Sequence, residues 1–509
     1  MKAKPSIEDH APHRLWLIAM ILALAFAFLG SRGIWDPDEG RYTNVAVNML
    51  DSGDWLNPRR SHEVGHWTKP PMTYWAIASS VALFGKNPWA ARLPIAVAYL
   101  LCTWLTGRIA HRIAPGTGTS AAVIYATMLL PFGVSQLITS DYILAACETL
   151  AVWAYVEARW GPGRSHHWMA LMWVGLALAF LTKGPPALLP LLVILISDRM
   201  LPGKRRVFHA AGIVLFLLLA LPWYVAVILH NPGLLAYFIG NEVVNRIATD
   251  AFGRHGQWYG WITIYVPTLV LGTLPWTPAL WRWARTLVAS LRKQFRDAAQ
   301  PDGAMLLLTL WVLVPLVAFI LARSRLPTYI LPLFVPLAVL AAVQRRTEGR
   351  RLPGLGWFLG WAAILLALKL ASAYWPTHKN AADWAAAIRA RTSTPVTEVV
   401  FVEDMARYGL RLHLDAEVEK VSLAPTARDE QARFSPVNDE DVASELRDLR
   451  DEPGGIWVCK QHDWPRVSTY IHERGFDAIP LGAPYRQRII FRTLAASGEQ
   501  GDLQPPPHQ

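Results

Sequence analysis

The chain has 509 residues, 53% of them hydrophobic, with 24 tryptophans, a net charge of +11 and a mean hydropathy of +0.24. Length alone would suggest about three soluble domains, but this apolar content excludes an ordinary soluble protein and points to a chain that crosses a membrane many times. The basic residues are scattered over separate loops, so the charge does not mark a nucleic-acid-binding face and no nucleic-acid partner is expected.

A membrane span needs about 20 mostly apolar residues. Taken in order, runs of roughly this kind fall at 15–31, 89–107, 119–137, 142–158, 168–181, 185–197, 210–229, 260–280, 305–322, 329–343 and 355–374. These eleven runs predict an α-helical polytopic membrane protein. Alternate loops are basic, holding Arg108 and Arg112, Arg159 and Arg164, Arg199 to Arg206, Arg282 to Arg296, and Arg345 to Arg351. The excess of arginine and lysine on cytoplasmic loops places these inside. The N-terminus, with Lys2, Lys4 and Arg14, then lies inside as well, and the loop 32–88 and everything after Tyr374 lie outside. The first run ends in FLGSRGIWDPDEG without a small-residue cleavage site, so it is read as a retained span and not a signal peptide. Cys102 and Cys147 sit in apolar runs and only Cys459 in the tail, which leaves no pair for a disulfide within the tail.

Between the first two runs lies an unusually polar loop, WDPDEGRYTNVAVNMLDSGDWLNPRRSHEVGHWTKPP. Asp36, Asp38 and Glu39 concentrate negative charge at its front, while Arg41, His66 and Lys69 bring positive and titratable groups to its back. Within it Tyr42, Val45, Ala46, Met49 and Leu50 recur at helical spacing, which predicts a short amphipathic helix along a membrane surface. Pro70 and Pro71 stop any helix before the next apolar run. A loop serving only as a connection needs neither paired carboxylates nor a lysine, so this stretch is read as the reaction centre.

Further polar groups fall at the same outer boundary. Asp141 in TSDY is either a helix cap or a second acidic site residue, and Glu148, two turns deeper, could orient a neighbour or pair with Lys183. Lys183 in FLTKGPP is a snorkelling lysine or part of the site. In the stretch NPGLLAYFIGNEVVNRIATDAFGRHGQWY, Glu242 and Arg246 have the spacing of a salt bridge on a helix face. Arg323, Arg325 and Tyr329 bring two guanidiniums and a phenol, and arginine grips phosphate with a planar pair of donors. After Trp375 the runs shorten to strand length at 397–402, 455–459 and 487–492, alternating with helical stretches at 381–391, 442–449 and 466–474. This pattern predicts a small α/β domain over 376–494, and the Gly-, Gln- and Pro-rich end, 495–509, reads as disordered. The membrane part is then 1–375.

Carboxylates and cations at one depth beside long apolar helices suit an amphipathic anionic substrate whose chain stays in lipid. Transfer of a group off a lipid phosphate fits: cations stabilise the leaving phosphate, and a carboxylate takes the proton of the attacking group or holds it in line. The rival is a transporter or flippase for an anionic lipid, which predicts an internal repeat with paired broken helices; the sequence shows no such repeat.

The ordered set WDPDEGRY, SGDW, TKPPMTYW, TSDYILA, LAFLTKGP, PWYV and SRLPTYILP resembles the bacterial aminoarabinose transferases and related lipid-linked-sugar transferases, similar in their membrane half to protein O-mannosyltransferases. The resemblance runs from Trp35 to Pro332. It implies a GT-C-type glycosyltransferase of the inner membrane with its active site on the periplasmic face. The implied donor is a polyprenyl-phosphate (undecaprenyl-phosphate) sugar, attacked with inversion, and the implied acceptor is lipid A, another envelope glycan or a protein. Residue by residue, it implies Asp38, Asp141 and Glu39 as catalytic groups. Lys69, Arg325, Tyr329 and Arg246 would hold the donor phosphate, with Arg41, Tyr42, His66 and Lys183 against substrate. Arg325 takes a lysine position of the late motif. Thr68 stands where those enzymes have glutamate, and Val243 in NEVVNR where they have histidine. Both departures remove plausible ligands of a divalent metal, so no cofactor is called for, with a divalent metal left as the alternative.

Overall fold

The computed structural model describes residues 11–62, 64–203, 206–245, 254–296, 302–424, 434, 436–448 and 455–495. The chain is mostly helical, with one six-stranded sheet near its C-terminus. It divides into two compact units: Met1–Ser31, Thr68–Leu83 and Trp89–Trp375 form the first, and Arg32–Trp67, Phe84–Pro88 and Pro376–Gln509 the second.

In the first unit, five of the described helices are long and apolar enough to cross a membrane: Pro88–Ile113, Ala210–His230, Gly303–Leu321, Pro327–Thr347 and Leu355–Ala373. Leu15–Phe26, Met72–Phe84 and Gly260–Gly272 are shorter apolar helices. The helix Met72–Phe84 lies inside the stretch 32–88 that the sequence reads as one loop. Two expected spans are broken. The run 119–137 forms Gly118–Thr127 and Leu129–Val134, and 260–280 is interrupted after Gly272 before a new helix starts at Thr277. In a medium without water, freed backbone groups need protein partners, and the two breaks supply them. The Leu129 N–H donates to Leu274 O (3.1 Å), the Trp361 indole to Thr127 O (2.9 Å), and the Trp276 indole to the Thr127 hydroxyl (2.9 Å). Buried side chains from Leu17 to Leu365 form one continuous core in this unit.

In the second unit the strand order is β3-β2-β1-β4-β6-β5, with β1 Glu398–Val402, β2 Glu417–Ser422, β3 Glu440–Asp441, β4 Gly455–Lys460, β5 Phe476–Pro480 and β6 Arg488–Ala495. β3, β2, β1 and β4 run parallel, and β6 is antiparallel to both β4 and β5. Alternation along β1 sends Val399 and Phe401 to one face, against Trp384 and Ile388, and Val400 and Val402 to the other, with Val467 and Ile471. Both faces are covered, as a mainly parallel sheet requires. The α/β pattern read from the tail is therefore present; 496–509 lies outside the described residues.

The segment Arg32–Trp67 folds as part of this sheet unit. The Ala381 N–H donates to Ile34 O and the Asp36 N–H to Lys379 O, both at 2.9 Å. The guanidinium of Arg60 holds Asp439 at 2.5 Å, and that of Arg411 holds Asp51 at 2.6 Å.

Candidate active site

The helix expected at 39–51 spans Asp38–Ser52 and closes at Gly53, whose positive φ of 70° fits a glycine C-cap. Asp38 and Glu39 stand in its first turn, where the helix dipole favours negative charge. Val45, Ala46 and Met49 turn inward as the periodicity requires.

The three carboxylates of WDPDEG have different surroundings. Asp38 is 64% exposed and pairs with Arg41 one turn on. Glu39, expected among the catalytic groups, is 3% exposed. It accepts from both terminal nitrogens of Arg32 (2.5 and 2.9 Å) and from the Trp35 N–H (2.9 Å), while the Arg32 guanidinium lies 4.2 Å from the centre of the Trp35 ring. With these contacts Glu39 braces the turn that leads into the helix. Asp36 is buried too and accepts the Gly409 N–H at 3.1 Å; burial pushes its carboxyl up to about 8. A Cβ at Gly40 would fall on that carboxyl, so close approach requires glycine there. His66 is buried and Tyr42 and Arg41 half-buried.

In the first unit, Asp141 stands in the first turn of the helix Ser140–Trp160, and Thr139 caps it by accepting the Asp141 N–H. Capping is thus done by Thr139, which leaves the Asp141 carboxylate for other partners. It forms a close ion pair with Lys183, with side-chain exposures of 8% and 13%. The Thr328 hydroxyl bonds the same carboxylate, and Lys69 acts on it electrostatically. The Lys183 ammonium sits 4.2 Å from the centre of the Tyr329 ring, and the Tyr329 hydroxyl accepts from Arg254 at 2.8 Å. Lys69 lies 3.5 Å from Glu242, which also accepts from the Tyr237 hydroxyl at 3.3 Å. Glu148 lies about two turns along the helix, within electrostatic reach of Lys183 and Asp141.

Sequence reasoning brought Lys69, Asp141, Lys183 and Tyr329 into one neighbourhood, and they share one. Arg246 lies outside the described residues, and Glu242 is met by Lys69. Arg325 is turned towards the protein's own backbone. It is 3% exposed and donates to the carbonyls of His255 (2.6 Å), Gln257 (2.8 Å) and Ile320 (2.9 Å), so it holds the backbone beside the site. Arg254, Tyr237 and Thr328 lie in the outer segments that the sequence marks as polar but carry no motif of their own, and only the fold brings Arg254 to Tyr329. Two lysines beside two carboxylates, with a guanidinium and phenol alongside, form a site that an incoming phosphate can enter by replacing carboxylate partners with its own oxygens.

A membrane bundle joined to a small mixed sheet is a known architecture. The whole chain superimposes on ArnT from Cupriavidus metallidurans bound to undecaprenyl phosphate with a TM-score of 0.74, over 96% of this chain and 99% of that one at 21% identity. The fold is therefore that of ArnT, and the chain is a multi-pass membrane protein.

The sequence relationships agree with that class. The profile of the dolichyl-phosphate-mannose-protein mannosyltransferase family matches residues 68–225. The undecaprenyl phosphate-alpha-4-amino-4-deoxy-L-arabinose arabinosyl transferase of Edwardsiella ictaluri is 32% identical over 379 residues, covering 69% of this chain and 65% of that protein. Its namesake in Pseudomonas paraeruginosa is 33% identical over 370 residues, 68% of this chain and 64% of the relative. The matches thus span just under two thirds of the relatives' own length. The chain is similar to the aminoarabinose transferases, as its motifs imply.

Proposed function

We propose that the chain is an integral-membrane glycosyltransferase that moves a sugar from an undecaprenyl-phosphate carrier to lipid A, another envelope glycan or a protein. In this reading about eleven helices span the inner membrane, the N-terminus is cytoplasmic, and 376–494 lies in the periplasm with the active site on that face. The observation that carries it is the cluster of Lys69, Asp141, Lys183 and Tyr329, whose cations suit a lipid-linked phosphate.

An oxygen of the acceptor attacks C1 of the sugar from the face opposite the phosphate. The C1–O bond breaks, its electron pair leaves on the carrier phosphate, and the configuration inverts. Lys69 and Lys183 stabilise the charge that grows on that phosphate, and Asp141 keeps both ammoniums in place. Asp38, the exposed carboxylate of its turn, takes the acceptor's proton or orients the acceptor. Arg41, Tyr42 and His66 contact substrate. Thr68 and Val243 offer neither the carboxylate nor the imidazole of the related enzymes, so the reaction is drawn without a divalent metal.

Mass spectrometry of lipid A and of total envelope glycans tests this, comparing a strain lacking the protein with one complemented by wild type, Asp38→Asn or Lys69→Ala. The expected result is loss of one glycan mass that only wild type restores, although both variants reach the membrane. Unchanged glycans with a lipid-linked intermediate accumulating would sink the enzyme reading in favour of transport.

A further inference from the structure

The first unit carries a polar concavity far from the lysine cluster. It has a volume of about 340 Å³ and is walled by Arg345, Arg346, Arg350 and Arg351 on one side and by Gly116, Thr117 and Ser120 on the other. That is room for several waters at roughly 30 Å³ each. Arg345 and Tyr329 stand 16 positions apart in the helical segment Pro327–Thr347. At 1.5 Å per residue this puts the pocket about 24 Å from Tyr329, at the other end of the bundle.

Its construction is specific. Ala342, Arg345, Arg346 and Gly349 follow one another at i, i+3, i+4 and i+7, so they share one face. Gly349, at φ 66°, turns the chain back, so the Arg350 N–H donates to Arg345 O at 2.8 Å and the Arg345 guanidinium to Arg351 O at 2.5 Å. Arg346 donates to the Pro115 carbonyl, and a Cβ at Gly116 would collide with its guanidinium. The opposite wall is the start of the helix Gly118–Thr127, where no side chain caps the end. First-turn N–H groups there lack intrahelical acceptors, and the dipole is positive.

Compensation inside the protein is incomplete. Glu348 is engaged by Arg282 at 2.7 Å and Arg350 at 3.1 Å. Among the described residues no carboxylate pairs with Arg345 or Arg346, and the buried Arg345 Nε finds no acceptor. Topology alone asks only that arginines stand at this end; it does not ask that guanidiniums converge on a cavity opposite an uncapped helix start.

We propose that this pocket binds a phosphate-bearing anion, either the headgroup of an anionic phospholipid or a free phosphate. The chemistry is charge-assisted, with guanidinium forks on the phosphate oxygens and the helix start completing the cradle. It is independent of the transfer reaction.

The test uses the full chain in nanodiscs of phosphatidylcholine, with or without phosphatidylglycerol, and in phosphatidylcholine discs with inorganic phosphate added. Thermal unfolding and native mass spectrometry of retained lipid are the readouts. Wild type is expected to gain stability and hold phosphatidylglycerol if the ligand is a lipid, or to respond to inorganic phosphate alone if it is not. The double substitution of Arg345→Gln with Arg346→Gln should weaken binding about tenfold or more. Ser120→Glu is the control for folding: an acidic residue suits a helix start, yet it fills the cradle with negative charge and should abolish the response. If wild type responds to neither anion, or if both variants respond as wild type does, the proposal fails.

Discussion

Lys183→Met removes the cation that faces Asp141, and its cost can be worked out from the pair. Both side chains are largely withdrawn from water, at 13% and 8% exposure. Breaking a buried ion pair by deleting one partner costs about 3–5 kcal/mol, because the other charge is left uncompensated. Asp141 would keep the Thr328 hydroxyl and the field of Lys69, which places the loss near the lower end, at about 3 kcal/mol. In an Asp141→Asn background no stranded charge remains, and the same substitution should cost about 1 kcal/mol. The coupling is then about 2 kcal/mol, readable as a double-mutant cycle from detergent-driven unfolding of the purified protein. Transfer should fall by about 10²–10³ in Lys183→Met, the usual consequence of losing a charge that stabilises the transition state. Asp141→Asn should restore stability to Lys183→Met without restoring transfer. Stability losses that add to within about 0.5 kcal/mol would refute the pair as drawn, and full transfer by Lys183→Met would remove Lys183 from the phosphate site.

Arg32→Met strands the buried Glu39 and should loosen the turn before the Asp38 helix by about 3–5 kcal/mol; trypsin cleavage at Arg41 should accelerate, and an unchanged digestion rate would show that the pair does not hold the turn. Trp276→Phe deletes the indole bond to Thr127 and should cost about 1 kcal/mol, a loss that vanishes in Thr127→Val if this bond is its cause. In the sheet unit, burial holds the carboxyls of Glu419 and Glu445 high, at about 9 and about 11, with Glu398, Glu417, Glu440 and Asp439 adding negative charge around them. The folded state therefore keeps protons that the unfolded chain releases above about pH 4.3. Their stabilisation is complete below that value and declines as pH rises towards 9, by up to about 1.4 kcal/mol per unit for each proton retained. Hydrogen exchange in β1 and β2 should quicken over that range beyond its intrinsic increase, and Glu445→Gln should flatten the dependence; an identical slope in the variant would mean that this pair does not retain the proton.

That same pair explains where the sequence was least readable. β2 reads EVEKVS, and its period-two signal is broken because Glu419 is buried, beside the carboxyls of Glu398 and Glu445. A buried, protonated glutamate looks like a surface residue in the sequence, so the strand was missed, whereas β1, with four apolar residues in succession, was found. β5 was hidden for a related reason, having Asp477 within it and Pro480 at its end. The helix breaks at Met128 and after Gly272 were read through as continuous spans, although Pro131 and Gly133 follow the first and Pro275 and Pro278 the second. Their stability comes from indoles and a carbonyl more than a hundred positions away. The lysine cluster was legible as a set of groups at one boundary but not as a set of contacts. Lys69 meets Glu242 across 173 positions, a partnership that local spacing assigned to Arg246.

The WDPDEG motif makes the limit plain. Charge and spacing present Asp36, Asp38 and Glu39 as equivalent candidates for one chemical role. The fold separates them by what each side chain can reach. Asp36 is closed in beneath Gly40 and Gly409, with burial favouring its protonated form, so it serves as a packed hydrogen-bonding group. Glu39 is paired with Arg32 and has its oxygens directed at the protein's own donors. Only Asp38 keeps its carboxylate at the surface, tethered to a single half-buried arginine that a substrate can displace. Two of the three carboxylates therefore build the turn that presents the third. A substitution at Asp36 or Glu39 should lower activity together with stability, whereas one at Asp38 should lower activity with the fold intact.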